Sequence, residues 1–157
     1  MIVKEVINRW RIVDAMSEHT YILGDSRSME EIPDETVNLV VTSPPYWNLK
    51  DYEGGGDEIG QGDASYQEYL EGLFSVFREC ARVLTPDGKI AINIMPIFLT
   101  GKATKFNRRV TKTVLSDLER FFEGLGNMFF LSLYIWDKRK IGRFSSWGSY
   151  PYPPNML

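Results

Sequence analysis

The run Val37-Asn-Leu-Val-Val41 is β-branched and apolar, and it halts at Pro44 and Pro45, with Tyr46 and Trp47 directly behind them. Branched side chains favour a pleated strand, and proline has no N–H to give to a ladder, so a strand must stop here in a stiff turn. The carbonyls of Ser43 and Pro44 then lack donors inside the turn and can accept from outside. At the carboxyl end of a strand in an α/β sheet, such acceptors are placed for a ligand that offers donors, an amino group for example.

Around this turn the apolar spacing predicts an alternation of strands and helices. Residues 1–19 carry Val3, Val6, Ile7, Trp10 and Val13 at helical spacing, which predicts a short amphipathic helix. A strand over Thr20–Leu23 closes in Gly24-Asp25, and Ser26 is a candidate N-cap for a short helix through Glu30. Strand, helix, strand in this order begins a parallel sheet and would set Asp25 beside Ser43 at one edge. Tyr66, Tyr69, Leu70, Leu73, Phe77, Cys80, Ala81 and Leu84 mark a long amphipathic helix. Pro86-Asp87-Gly88 should end it, and Lys89–Ile94 reads as a buried strand. A further helix is expected over Val110–Leu125, with Gly124-Leu125-Gly126 as its C-cap, then a long strand over Met128–Trp136.

Two stretches read as loops, 48–64 and 95–109. The first, attached to the proline turn, suits a gate. Its glycines neither follow a strand nor open a helix, which argues against a phosphate cradle.

The 157 residues fit one domain, 1–157, with a basic and aromatic tail over 137–157. Cys80 is the only cysteine and His19 the only histidine, so neither an internal disulfide nor a Cys/His zinc site is expected, and no metal is predicted. No apolar run approaches the ~18 residues of a membrane span and no signal-like N-terminus is present, which predicts a cytoplasmic protein without membrane contacts. The net charge of −3 conceals an asymmetry: residues 1–100 hold 8 Lys/Arg against 17 Asp/Glu, and residues 101–143 hold 10 against 4. The basic part, with Lys102, Lys105, Arg108, Arg109, Lys138, Arg139, Lys140 and Arg143, suits contacts to a polyanion. Aromatic residues interleave with these charges in the tail, as stacking on unstacked bases would require.

Thr42-Ser-Pro-Pro-Tyr-Trp47 resembles the catalytic motif of the amino-group DNA methyltransferases, Asp, Asn or Ser followed by Pro-Pro and an aromatic residue; the serine form is most similar to the N4-cytosine enzymes. The likeness extends from about Tyr21 through the Gly-Asp strand end, Glu79-Cys-Ala-Arg-Val-Leu84, the Pro-x-Gly turn, Trp136 and Lys138, to Pro151-Tyr-Pro-Pro-Asn155. It implies a partial Rossmann-like methyltransferase fold, α/β with a mostly parallel sheet and flanking helices. In permuted members of this family the catalytic block precedes a Phe-x-Gly-x-Gly segment that forms much of the S-adenosylmethionine pocket. This sequence contains no such segment, so the glycine-rich cofactor-binding half is absent and the chain resembles the N-terminal catalytic part.

The resemblance implies Ser43, Pro44, Pro45 and Tyr46 as catalytic residues, with Asp25, Thr42 and Ser43 facing S-adenosylmethionine. Trp47 and the basic residues would meet double-stranded DNA. Ser43 Oγ and the Pro44 carbonyl would accept the protons of an exocyclic amino group, and Tyr46 would stack on the flipped base. The implied activity is methylation of cytosine N4, as in restriction–modification, with adenine N6 as the alternative target. A complementary chain with the missing half is an implied partner. Two other readings are a non-catalytic nucleic-acid-binding or assembly module on the same fold, and amino-group methylation of protein or RNA. The latter is disfavoured by serine rather than asparagine at position 43.

Overall fold

A computed structural model describes residues 9–13, 18–47, 58–99, 108, 110–136 and 155–156. The elements run β1 (Arg9–Val13), β2 (Glu18–Ile22), β3 (Val37–Thr42), α1 (Tyr66–Val83), β4 (Leu84–Ile92), β5 (Ile97–Leu99), β6 (Val110–Lys112), α2 (Val114–Gly124), β7 (Ile135–Trp136) and β8 (Asn155–Met156). They form four two-stranded ladders. β3–β4 is parallel, and β1–β2, β5–β6 and β7–β8 are antiparallel.

The unit that positions the proline turn is β3, α1 and β4, a parallel pair joined by a crossover helix. Ser65 starts α1 with a capping box: its hydroxyl accepts from the Glu68 N–H, and the Glu68 carboxylate accepts from the Ser65 N–H. The predicted apolar stripe is the buried one, with Tyr69, Leu70, Leu73, Phe77 and Cys80 packed with Ile94, Ile97, Val114 and Leu118. Phe74 stacks flat on Phe121 at 4.4 Å and Phe77 meets Phe122 edge-on at 5.4 Å, which ties α1 to α2. Cys80 lies inside this core at 4% exposure, and burial pushes its thiol above the ordinary range.

Several expectations from the sequence are corrected. The helix over 1–19 gives way, at Arg9–Val13, to a strand paired with β2 in the register Arg9↔Ile22 to Val13↔Glu18. Arg9-Trp-Arg-Ile12 alternates polar and apolar residues with a period of two, a pattern outweighed in the sequence by the longer helical spacing. The short helix from Ser26 is a pair of turns. The Asp25 carboxylate accepts from the Arg27 N–H and the Asp25 carbonyl from the Ser28 N–H, a local arrangement that competes with a helical turn. β2 and β3 share no ladder among the described residues, so the parallel step that would set Asp25 beside Ser43 is not formed there.

α1 passes into β4 without a loop, because Pro86-Asp87-Gly88 lies within the strand as an irregularity: Val37 pairs with Leu84, but Leu39 pairs with Lys89. Proline cannot donate to a ladder, so its place is such a bulge. Gly88 is required there, since a Cβ would stand 2.7 Å from a Leu84 methyl and 2.9 Å from the Thr85 carbonyl oxygen. β4 is not buried throughout. Ile90 and Ile92 face the core, whereas Lys89 and Ala91 are exposed, as are Leu39 (56%) and Val41 (73%) on β3.

α2 begins at Val114 rather than Val110, because Val110–Lys112 pairs with Ile97–Leu99 inside the stretch read as a loop. It ends at Gly124 as expected, with Gly126 at φ 78° donating to the Glu123 carbonyl. Of the strand expected over Met128–Trp136, only Ile135 and Trp136 form a ladder, and their partner is β8 in the tail.

Candidate active site

Ser43 follows the last residue of β3 and is exposed, whereas the adjacent Pro44 is buried. The β3–β4 ladder runs one bond past β4, from the Asn93 N–H to the Thr42 carbonyl at 2.8 Å, so the backbone entering Ser43 is held. Beyond it, the Tyr69 hydroxyl donates to the Pro45 carbonyl at 2.9 Å. Tyr69 itself is fully buried in α1. The turn is therefore anchored to the sheet on one side and to the first turn of the helix on the other.

Tyr46 and Trp47 are half-buried and pack on the core. Trp47 donates from Nε1 to the Ala64 carbonyl at 2.7 Å, and its ring meets Tyr66 at 5.2 Å. Tyr66 donates to Asp117 Oδ2 at 2.6 Å, and Lys112 Nζ lies 4.7 Å from the Tyr66 ring centroid. Burial, reinforced by the Asp117 carboxylate, pushes the Tyr66 phenol far above its ordinary range, so it stays protonated. The hydrogen-bond partners of Tyr69 and Tyr66 are not legible in the sequence. Both tyrosines belong to the apolar stripe of α1, and the signal available was their position in its first turn behind a glycine-rich loop.

Gly60 closes this support. It is buried at φ 78°, and a Cβ there would stand 2.5 Å from the Tyr69 ring. The loop passes so close to the anchoring tyrosine that only glycine fits.

The remaining site residues are distributed unevenly. Thr42, Ser43, Pro44, Pro45, Tyr46 and Trp47 form one continuous cluster. Asp25 is exposed and its carboxylate is gripped by Arg27, at 2.9 Å from Nε and 2.7 Å from the terminal nitrogen, which holds it below the usual carboxylate range. Arg108 is exposed. Lys102, Lys105, Arg109, Lys138, Arg139, Lys140 and Arg143 lie outside the described residues, as does most of the gate expected in loop 48–64. Among the described residues no group of three or more His, Cys, Asp or Glu side chains could hold a metal, and no helix is long and apolar enough to cross a membrane.

A second polar cluster, missed in the sequence, clamps the 29–34 segment onto α1. Arg82 donates to the Met29 and Ile32 carbonyls and pairs with Asp34 and Glu79, while Glu79 accepts from the Met29 N–H at 2.7 Å. A cavity of about 690 Å³ lies away from Ser43, between β4, α2 and residues 127–132.

Residues 37–155 match the family model for DNA methylases of the N6/N4 type. The chain belongs to that family. Relatives of this methylase chain include the type II methyltransferases M.SfiI of Streptomyces fimbriatus, 40% identical over 57% of the chain, and M.MjaI of Methanocaldococcus jannaschii, 32% identical over 91%. A structure of a DNA modification methylase from Thermus thermophilus, complexed with S-adenosyl-L-methionine, superposes with a TM-score of 0.62 at 27% identity over 85% of the chain. It supports the Rossmann-like methyltransferase class of fold. The methylase chain spans 19% of the length of M.SfiI, 52% of M.MjaI and 51% of the Thermus chain.

This arrangement fits S-adenosylmethionine only in part. The exposed Ser43 end of β3 is open to a ligand, but the Asp25 carboxylate is occupied by Arg27 and the cavity touches none of Asp25, Thr42 or Ser43.

Proposed function

We propose that this chain is the catalytic part of a DNA methyltransferase that modifies the exocyclic amino group of a flipped base, cytosine N4 in preference to adenine N6. The observation that carries the reading is the exposed Ser43 at the end of a parallel strand, next to a buried Pro44 and a Pro45 carbonyl fastened by Tyr69. With the Pro45 carbonyl engaged, the Ser43 hydroxyl and the Pro44 carbonyl are the acceptors assigned to the amino protons. An amino lone pair is delocalised into the base ring, and two acceptors favour a pyramidal nitrogen whose lone pair points at an electrophile. S-adenosylmethionine, when bound, supplies the methyl group. Tyr46 is assigned to the face of the extruded base, and Arg108 with the basic residues of 101–143 to phosphates of double-stranded DNA.

Most of the cofactor pocket is assigned to a glycine-rich half outside these 157 residues. Leu39 and Val41, exposed on the face of β3 opposite α1, support this, since a parallel strand pair is ordinarily covered on both faces. The non-catalytic reading is favoured by one feature, the engagement of Asp25 by Arg27.

Combining the chain with a polypeptide that carries the glycine-rich half, and following transfer of labelled methyl from S-adenosylmethionine to DNA, tests both readings. Methyl transfer by the pair, lowered about a hundredfold in Ser43→Ala with cofactor binding retained, is the expected result, in line with the loss of one positioned polar group. Wild-type turnover in the serine variant would overturn the catalytic role. DNA binding without any transfer would favour the binding module.

A further inference from the structure

Two hydrogen bonds of opposite sense join the end of the proline turn to the start of α1. The Tyr69 hydroxyl donates to the Pro45 carbonyl at 2.9 Å, and Trp47 Nε1 donates to the Ala64 carbonyl at 2.7 Å. Tyr46 stands between these two points in the chain. Its nitrogen is bonded to the carbonyl carbon that Tyr69 holds, and its own carbonyl leads into the residue that Ala64 holds.

Both partners belong to one rigid body. Ala64 and Tyr69 flank the N-terminus of α1, where Ser65 and Glu68 exchange the capping-box bonds and the Tyr69 N–H donates to the Ser65 carbonyl at 3.0 Å. Behind Trp47, the Tyr66 ring lies at 5.2 Å and is itself fastened to Asp117 of α2 at 2.6 Å. Beside Tyr69, the Gly60 backbone comes so close that a Cβ would stand 2.5 Å from the ring. With a fixed point on each side, the backbone of Tyr46 has little freedom left, and its half-buried ring packs on the same core.

We propose that Trp47 and Tyr69 are positioning residues that clasp Tyr46 and preset the aromatic face it carries beyond the turn. Trp47, expected from the sequence to meet DNA, is thereby assigned to holding the turn, since its indole N–H is engaged by Ala64 and its ring by Tyr66. The clasp is a property of the chain itself. Its consequence for catalysis rests on the methyl-transfer reading, in which Tyr46 meets the extruded base. An unfastened Tyr46 must be ordered as the base arrives, which weakens capture by roughly tenfold for one residue's backbone.

Two variants separate the bonds from the packing. Trp47→Phe keeps a ring against Tyr66 and removes the N–H, and Tyr69→Phe keeps the buried ring and removes the hydroxyl. Amide-nitrogen relaxation of the 157-residue chain gives the order parameter of the Tyr46 amide. It should lie at about 0.85, the value of rigid backbone, fall partway in each single variant and drop below about 0.6 in the double variant, with α1 and β3 unchanged. A Tyr46 amide that stays as rigid in the variants as in the wild type would overturn the clasp. Should the double variant disturb α1 and β3 as well, the single variants decide.

Labelled methyl transfer to DNA by the chain paired with the glycine-rich half gives a second readout, as a double-mutant cycle. Trp47→Phe should lower kcat/KM for DNA roughly tenfold when Tyr46 is present and less than about twofold in a Tyr46→Ala background, because the clasp acts through that ring. Equal losses in both backgrounds would overturn it and mark Trp47 as a direct contact. A wild-type pair that transfers no methyl group counts against the methyl-transfer reading alone, and the Tyr46 amide then decides the clasp.

Discussion

Tyr69 reaches from a fully buried ring to the carbonyl of Pro45, donating its phenolic proton across 2.9 Å. A residue of the helical core thus controls the backbone of the turn that carries Ser43. Tyr69→Phe keeps the ring and removes the bond, so it should destabilise the chain by about 1 kcal/mol, the usual net worth of one hydrogen bond. Tyr69→Ala should cost about 3–5 kcal/mol through the cavity it leaves. Urea denaturation followed by circular dichroism separates the two.

Gly60 and Gly62 both adopt positive φ, at 78° and 65°, but only Gly60 has a ring where its Cβ would go. Gly62→Ala should cost about 1 kcal/mol for the backbone alone. Gly60→Ala should cost about 1–3 kcal/mol more, because the added methyl overpacks against Tyr69. Thermal melts of the two variants give the difference directly.

Tyr66 joins α1 to α2 through Asp117. Tyr66→Phe should destabilise by about 1–2 kcal/mol, as expected for a half-buried bond to a carboxylate. Since the raised phenol does not ionise in the ordinary tyrosine range, ultraviolet titration of the wild type should show at least one tyrosine fewer ionising near pH 10 than in the unfolded chain, and Tyr66→Phe should shrink that difference by one.

Glu79 is held at about 2, chiefly by its hydrogen bond from Arg82 and then by the Met29 N–H, against an ordinary value of 4.5. A depressed carboxylate contributes stability that is fully present above its unfolded value and is lost as pH falls through the folded one. The wild type should therefore lose stability between about pH 4.5 and 2, and Glu79→Gln should lose less over that window. Urea midpoints at pH 6 and pH 3 for both proteins check the sign.

The most legible parts of this chain were those whose signal is local. The proline pair ended β3, and the stripe from Tyr66 to Cys80 predicted α1, because a side-chain period and a missing N–H act within a few residues. The helical spacing over Arg9–Val13 misleads because the strand character there depends on β2, a partner that a spacing pattern does not contain. β6 reads as part of α2 for the same reason, its pairing with β5 being the deciding influence. In the site, the motif from Thr42 to Trp47 could be read directly, but the bonds that hold it could not. Tyr69 and Gly60 read as a core residue and a loop residue, and only the 2.5 Å that would separate a Cβ at Gly60 from the Tyr69 ring shows that they form one support.

The solitary thiol of this chain is a built-in clock. Cys80 sits at 4% exposure on the α1 face that meets Ile94, Val114 and Leu118, with its reactivity suppressed by burial. A thiol reagent can modify it only during the moments when the helix lifts from that core, so the modification rate reports the opening equilibrium wherever closing outpaces labelling. With one cysteine in 157 residues, the readout needs no engineered tag. A ligand or a glycine-rich half that tightens these residues would register as a slower clock before any catalytic signal could be sought.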